Sequence, residues 1–126
     1  MRYLGIDYGT KKIGIALSDE GGEFAFPHSI LPNTPSFFDV IQKLCKEYSI
    51  TKIVVGYSLS QYGNENELTK KIYEVTKVLE EQCGISVVLQ NELFSSVEAH
   101  RYQIKKGDRD DSAAAIILQR FLDAKK

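Results

Sequence analysis

The stretch Tyr3–Ser18, YLGIDYGTKKIGIALS, constrains the fold more than any other part of the chain. Leu4, Ile6 and Tyr8 share one face at the period of two of a β-strand, and Ile13, Ile15 and Leu17 repeat the pattern after a short polar turn. That turn, Gly9-Thr10-Lys11-Lys12, supplies a permissive glycine, a hydroxyl and two cations. The anomaly is Asp7, an acid at the end of an apolar strand. A carboxylate withdrawn from water is costly unless it is hydrogen-bonded, paired or bound to a metal. Two readings follow. Asp7 either accepts hydrogen bonds from the turn amides or Thr10, or it is a metal ligand and needs partners elsewhere.

Further along, Asp19-Glu20-Gly21-Gly22 signals a turn, and Glu23-Phe24-Ala25-Phe26 reads as a third strand with Pro27 near its end. Short connections make these three strands antiparallel. His28 reads as a surface residue. Leu31-Pro32-Asn33-Thr34-Pro35 reads as a loop, with Ser36 as N-cap of a helix carrying Phe37, Val40, Ile41, Leu44 and Tyr48 on one face. The apolar run Ile53-Val54-Val55 suits a central strand covered on both sides. It is followed by Gly56-Tyr57-Ser58-Leu59 and the loop Ser60–Asn64. Leu68, Ile72, Val75 and Leu79 mark a second helix that stops at Gly84. Ser86-Val87-Val88-Leu89 reads as a buried strand leading to Asn91-Glu92. Ser95 with Glu98 forms a capping box for a helix running to about Lys106. Asp110-Asp111-Ser112 then opens a last helix with an apolar stripe of Ala114, Ile117, Leu118 and Phe121. Later strands alternating with helices lie parallel through right-handed crossovers. The expected fold is α/β, a mixed five-stranded sheet with three antiparallel strands first, flanked by helices.

At 126 residues the chain suits one domain spanning 1–126. Its net charge of −1 gives no support to strong sequence-independent nucleic-acid binding, though a local basic patch can still serve. No apolar run approaches the ~20 residues of a membrane span. The chain enters a strand at once, without the pattern of a signal peptide. Cys45 and Cys83 fall within helical apolar patterns, which suits two buried reduced thiols better than a disulfide or a metal site. A cytoplasmic setting is expected.

Partners for Asp7 come from two later segments. Glu92 directly follows a strand, where α/β sheets gather functional groups; on position alone a solvated loop acid is slightly the better reading. Asp110 and Asp111 open the last helix, where Asp also serves as N-cap. Three acids from these positions could converge on one sheet edge. Hard cations such as Mg²⁺ or Mn²⁺ take oxygen ligands. Two of them ~3.5–4 Å apart can drive phosphodiester hydrolysis. No cluster of Cys and His offers a zinc site.

The stretch Gly5-Ile6-Asp7-Tyr8-Gly9-Thr10-Lys11-Lys12-Ile13-Gly14 resembles the opening motif of a ribonuclease H-like domain. More narrowly it resembles the bacterial pre-16S rRNA nucleases, also described as Holliday-junction-resolvase-like proteins. Ile53–Leu59 is similar to that family's apolar strand followed by Gly-Leu-Pro-Leu, and Asn91–Ser96 to its Asp-Glu-Arg-Leu-Thr-Thr. Asp110–Gln119 is similar to its Asp-x-x-Ala-Ala-x-x-Ile-Leu-Gln. The resemblance implies a ribonuclease H-like fold and a divalent-metal-dependent nuclease that processes the 5′ end of pre-16S rRNA, with four-way DNA junctions as the alternative substrate. It implies a catalytic set of Asp7, Glu92 and Asp110, which also bind the metal, with Asp111 as the neighbouring candidate ligand. The chain departs from the pattern at Ser58 for Pro, Asn91 for Asp and Leu93 for Arg, the last removing a cation that could have met a phosphate.

Substrate contacts are expected from Gly9, Thr10, Lys11 and Lys12 of the first turn, from Ser95, and from the basic run Lys105, Lys106 and Arg109. Two other classes compete. Asp-x-Gly-Thr also occurs in the phosphate loop of actin, Hsp70 and sugar-kinase ATPases, but those clamp nucleotide between two related domains and this chain has length for one. A non-catalytic nucleic-acid-binding module would not require three carboxylates.

Overall fold

The computed structural model describes residues 1–9, 11–57, 67–91 and 110–125. Five strands form one sheet in the order β3-β2-β1-β4-β5: β1 Arg2–Tyr8, β2 Lys12–Ser18, β3 Ala25–Pro32, β4 Ile50–Tyr57 and β5 Ser86–Asn91. β1, β2 and β3 are antiparallel neighbours, whereas β4 runs parallel to β1 and β5 parallel to β4. Helices α1 (Ser36–Glu47) and α2 (Glu67–Cys83) cover one face, and α3 (Asp110–Lys125) covers the other. The mixed sheet read from the sequence is the one observed.

Alternation along the strands divides the core between the two faces. Leu4, Ile6, Tyr8, Ile13, Ile15 and Leu17 join Phe37, Ile41 and Leu44 of α1 and Ile72, Val75 and Leu79 of α2 in one cluster. Tyr3, Ala16 and Val54 point the other way and pack with Ala114, Ile117, Leu118 and Leu122 of α3. On β4, Ile53 and Val55 face one layer and Val54 the other, as a strand covered on both sides requires. Burying these aliphatic side chains, each worth about 1.5–3 kcal/mol, supplies the main favourable term of folding.

Several local expectations are corrected. The third strand begins at Ala25, not Glu23, and runs well past Pro27, which the sequence placed near its end, through Leu31 and Pro32, which the sequence assigned to a loop. β3 is an edge strand, so prolines missing a donor are tolerated there. Its register also shifts beside Pro27, since Ala16 pairs with Pro27 while Ile15 pairs with Ser29. Gln119 on α3 fixes the start of this strand. Its Oε1 accepts the Ala25 N–H at 2.9 Å, and its Nε2 donates to the Glu23 carbonyl at 2.9 Å. Pro35, not Ser36, is the N-cap of α1 and gives no side-chain cap; the Ser36 hydroxyl instead meets that of Thr34 at 2.7 Å. β5 is half-buried at the other edge, not fully enclosed, because only β4 flanks it. Gly84 ends α2 in the left-handed region at φ 65°, as expected. Cys45 is buried, Cys83 only half-buried, and both are free thiols. The capping box at Ser95, its helix to Lys106, and the Ser58–Asn64 segment lie outside the described residues.

Candidate active site

Three parallel strands, β1, β4 and β5, end at the same edge of the sheet, and the acid anomaly of the sequence lies there. Asp7 is in register with Gly56 of β4, and Gly56 with Gln90 of β5. On the other side Asp7 pairs with Gly14 of β2. The half-buried Asp7 thus has glycine as in-register neighbour on both flanking strands. Neither neighbour carries a Cβ, so the sheet itself leaves room beside the carboxylate. Glycine inside a strand often marks such a close approach. Gly14 and Gly56 were legible in the sequence, but only the strand register shows that they bracket the acid.

Asp7 belongs to the face of β1 that meets α3, two residues beyond Gly5 and four beyond Tyr3. The helix runs antiparallel to β1: the Tyr3 ring meets Phe121 edge-to-face at 5.8 Å, and Gly5 lies under Ala114 and Leu118. Moving from Tyr3 to Gly5 along the strand therefore retraces α3 towards its start. Two further residues of strand rise about 7 Å, and one turn of helix about 5.4 Å. The same progression directs the start of α3, at Asp110, towards the end of β1 that carries Asp7.

The first turn is held from the side. Asn33 Nδ2 donates to the Gly9 carbonyl at 2.7 Å, and the Asn33 N–H donates to the Lys11 carbonyl at 3.0 Å. Lys11 and Lys12 are exposed at this same edge. Gly9 is required by space, because a Cβ there would lie 2.5 Å from the Lys12 carbonyl oxygen. Asn33 was not singled out from the sequence; an asparagine between a strand and a helix is ordinary loop composition, and nothing in its spacing connects it with Gly9.

Of the residues expected at the site, Asp7, Gly9, Lys11 and Lys12 share this edge. Thr10, Glu92, Ser95, Lys105, Lys106 and Arg109 lie outside the described residues, as do the side chains of Asp110 and Asp111. Glu92 follows Asn91, the last residue of β5, which pairs with Tyr57 one row beyond Asp7. Among the described residues no group of three or more His, Cys, Asp or Glu could hold a metal ion. No described helix is long and apolar enough to cross a membrane. A shallow pocket lined by Met1, Arg2, Glu20, Glu47, Tyr48 and Ser49 opens at the opposite edge, where β1 begins.

Known proteins are similar in sequence and in fold. A protein of Dictyoglomus turgidum named "Putative pre-16S rRNA nuclease" is 37% identical over 134 residues, covering 98% of this chain and 95% of that protein. The solved structure of Thermus thermophilus RuvC in complex with a Holliday junction substrate matches with a TM-score of 0.64 at 18% identity, covering 99% of this chain and 96% of that one. The fold alone is wider than nucleases. A ROK hexokinase from Thermus thermophilus matches with a TM-score of 0.53 at 17% identity, yet this chain covers only 39% of it. The architecture is thus ribonuclease H-like, of the RuvC kind. Family membership is decided by sequence: the model of RuvX, described as a Holliday junction resolvase, matches residues 1–124, and the chain belongs to that family.

Proposed function

We propose that this protein is a divalent-metal-dependent endonuclease that hydrolyses phosphodiester bonds in nucleic acid, acting in the cytoplasm on the 5′ end of pre-16S rRNA as a single domain spanning 1–126. The observation that carries the reading is Asp7, half-buried at the end of the central strand and flanked in register by Gly14 and Gly56. Asp7, Glu92 and Asp110 are the proposed catalytic acids, with Asp111 as a further candidate ligand. Carboxylate oxygens suit Mg²⁺ or Mn²⁺, and the glycines beside Asp7 leave space for an ion that keeps some of its waters. Such an ion, when bound, supplies activation of water and charge stabilisation at the leaving oxygen. Lys11 and Lys12 offset the repulsion between the acids and an approaching phosphate backbone, together with Lys105, Lys106 and Arg109. Thr10 and Ser95 offer hydroxyls to the same substrate. The name carried by the Dictyoglomus relative favours rRNA over branched DNA.

The test is cleavage by purified protein of a 5′-extended 16S rRNA precursor fragment and of a four-way DNA junction, each with Mg²⁺, with Mn²⁺ and with EDTA. RNA cleavage that EDTA stops is the expected result. Cleavage of the junction alone would move the substrate to DNA, and no cleavage of either would overturn the reading.

A further inference from the structure

Asn33 is joined to the β1–β2 turn at three points. Its side chain donates to the Gly9 carbonyl at 2.7 Å, its backbone N–H donates to the Lys11 carbonyl at 3.0 Å, and its Oδ1 accepts from the Tyr8 hydroxyl at 3.4 Å. These contacts fall on both sides of Thr10. The turn is thereby tied to a residue 24 positions away from Gly9, just after the end of the edge strand. Tyr8 anchors the other end of the linkage, since its ring is buried and meets Phe37 edge-to-face at 6.3 Å. The chain from the α1 layer to the turn is therefore Phe37, Tyr8, Asn33, Gly9.

A glycine-containing turn without such a tie samples many backbone states, and fixing them costs conformational entropy. When that cost is met during folding, it is not charged again when the turn meets a ligand. What the turn presents beyond Gly9 is Lys11 and Lys12, exposed cations at the edge that holds Asp7. A core contact would not need this geometry. The contacts at Gly9 and Lys11 are polar and made to backbone carbonyls, so they hold the main chain on either side of position 10.

We infer that Asn33 is a positioning residue for nucleic-acid binding: it holds the Gly9–Lys12 turn so that Lys11 meets the substrate phosphate beside Asp7. The inference rests on the nuclease reading above and adds to it how substrate affinity is set. Asn33 touches no reacting group, so it acts on binding and not on the chemical step.

The experiment combines Asn33→Ala, Lys11→Ala and the double substitution. Binding of labelled precursor RNA is measured in EDTA, where cleavage is not expected, and kcat and KM are measured with Mg²⁺. Losing one fixed hydrogen bond should weaken binding by about threefold to tenfold. Lys11→Ala should weaken it similarly, and the double variant should bind no more weakly than the worse single one, because both act through one contact. KM rises while kcat stays within about twofold. Amide exchange of the free protein should quicken at Lys11 and Lys12 in Asn33→Ala. Should that variant fail to fold, Tyr8→Phe removes only the 3.4 Å contact and gives a smaller change in the same direction. Additive losses, unchanged binding, or a fall in kcat at constant KM would overturn the inference while the nuclease reading stands. A wild-type protein that neither binds nor cleaves nucleic acid would overturn both.

Discussion

Gly5 and Leu118 meet so closely that β1 and α3 could not pack as they do with any larger residue at position 5. A Cβ on Gly5 would lie 2.8 Å from the Leu118 Cβ and 3.1 Å from the Ala114 carbonyl oxygen. Neither atom is the free end of a flexible side chain, so the helix itself would have to move. This contact sets the distance between the strand that bears Asp7 and the helix that begins at Asp110.

Gly5→Ala should therefore reduce both stability and cleavage. Removing a glycine from a strand gains about 0.4–1 kcal/mol through the unfolded chain, whereas overpacking costs about 1–3 kcal/mol. The second effect wins where the obstructing atoms belong to a helix. Urea unfolding should show a net loss of about 1–2 kcal/mol, and turnover should fall by more than the unfolded fraction explains. An unchanged turnover would mean that the spacing of β1 and α3 does not govern the site.

The sequence disclosed the sheet because its signals were periodic. Alternation placed Leu4, Ile6 and Tyr8 with Ile13, Ile15 and Leu17 on one face, and they share one cluster. The edge strand was less legible, since Pro27 read as the strand's end and Pro32 as loop when only a missing donor on an edge strand was involved. Asp7 stood out because a charged group in an apolar strand conflicts with its surroundings. The glycines beside it and the clamp at Asn33 did not, because register and long-range hydrogen bonds leave no local pattern.

Asp7→Asn should abolish cleavage and leave folding intact. The substitution keeps shape and half-burial but removes the charge that a metal ligand requires. If the acids crowd one another without an ion, thermal melting should be unchanged or slightly raised. A large drop in melting temperature would instead make Asp7 a structural acid that holds its turn, the other reading that the sequence allowed.

Cys45 should stay protonated and unreactive in the folded protein. Burial, and secondarily the Cys83 thiol beside it, pushes its pKa from 9.0 up to about 12. The thiolate is the nucleophile, so alkylation by iodoacetamide at pH 8 should reach half-buried Cys83 first and Cys45 only after unfolding. The folded thiol holds its proton more tightly than the unfolded one. Its contribution to stability is thus complete below pH 9 and is lost as the pH rises towards about 12. Melting temperature should fall more steeply above pH 9 in the wild type than in Cys45→Ala. Parallel slopes would show that Cys45 is not the titrating group.

Neutralising Lys105, Lys106 and Arg109 together should weaken nucleic-acid binding and flatten its salt dependence. The segment 92–109 starts after Asn91, at the end of β5, and finishes at Asp110, where α3 begins. A phosphate backbone approaching three acids must be met by cations, and a chain with a net charge of −1 offers no general attraction. Each lost phosphate contact should lower the slope of log K against log salt by about one. The control is Lys70, Lys71 and Lys77, exposed on α2 across the sheet from α3, where an equal change in charge alters only the long-range field. That field is screened over about 8–10 Å at physiological ionic strength, so the control should bind almost as the wild type does. Equal losses in the two triple variants would mean that the basic run is a solvated surface and that the nucleic acid docks elsewhere.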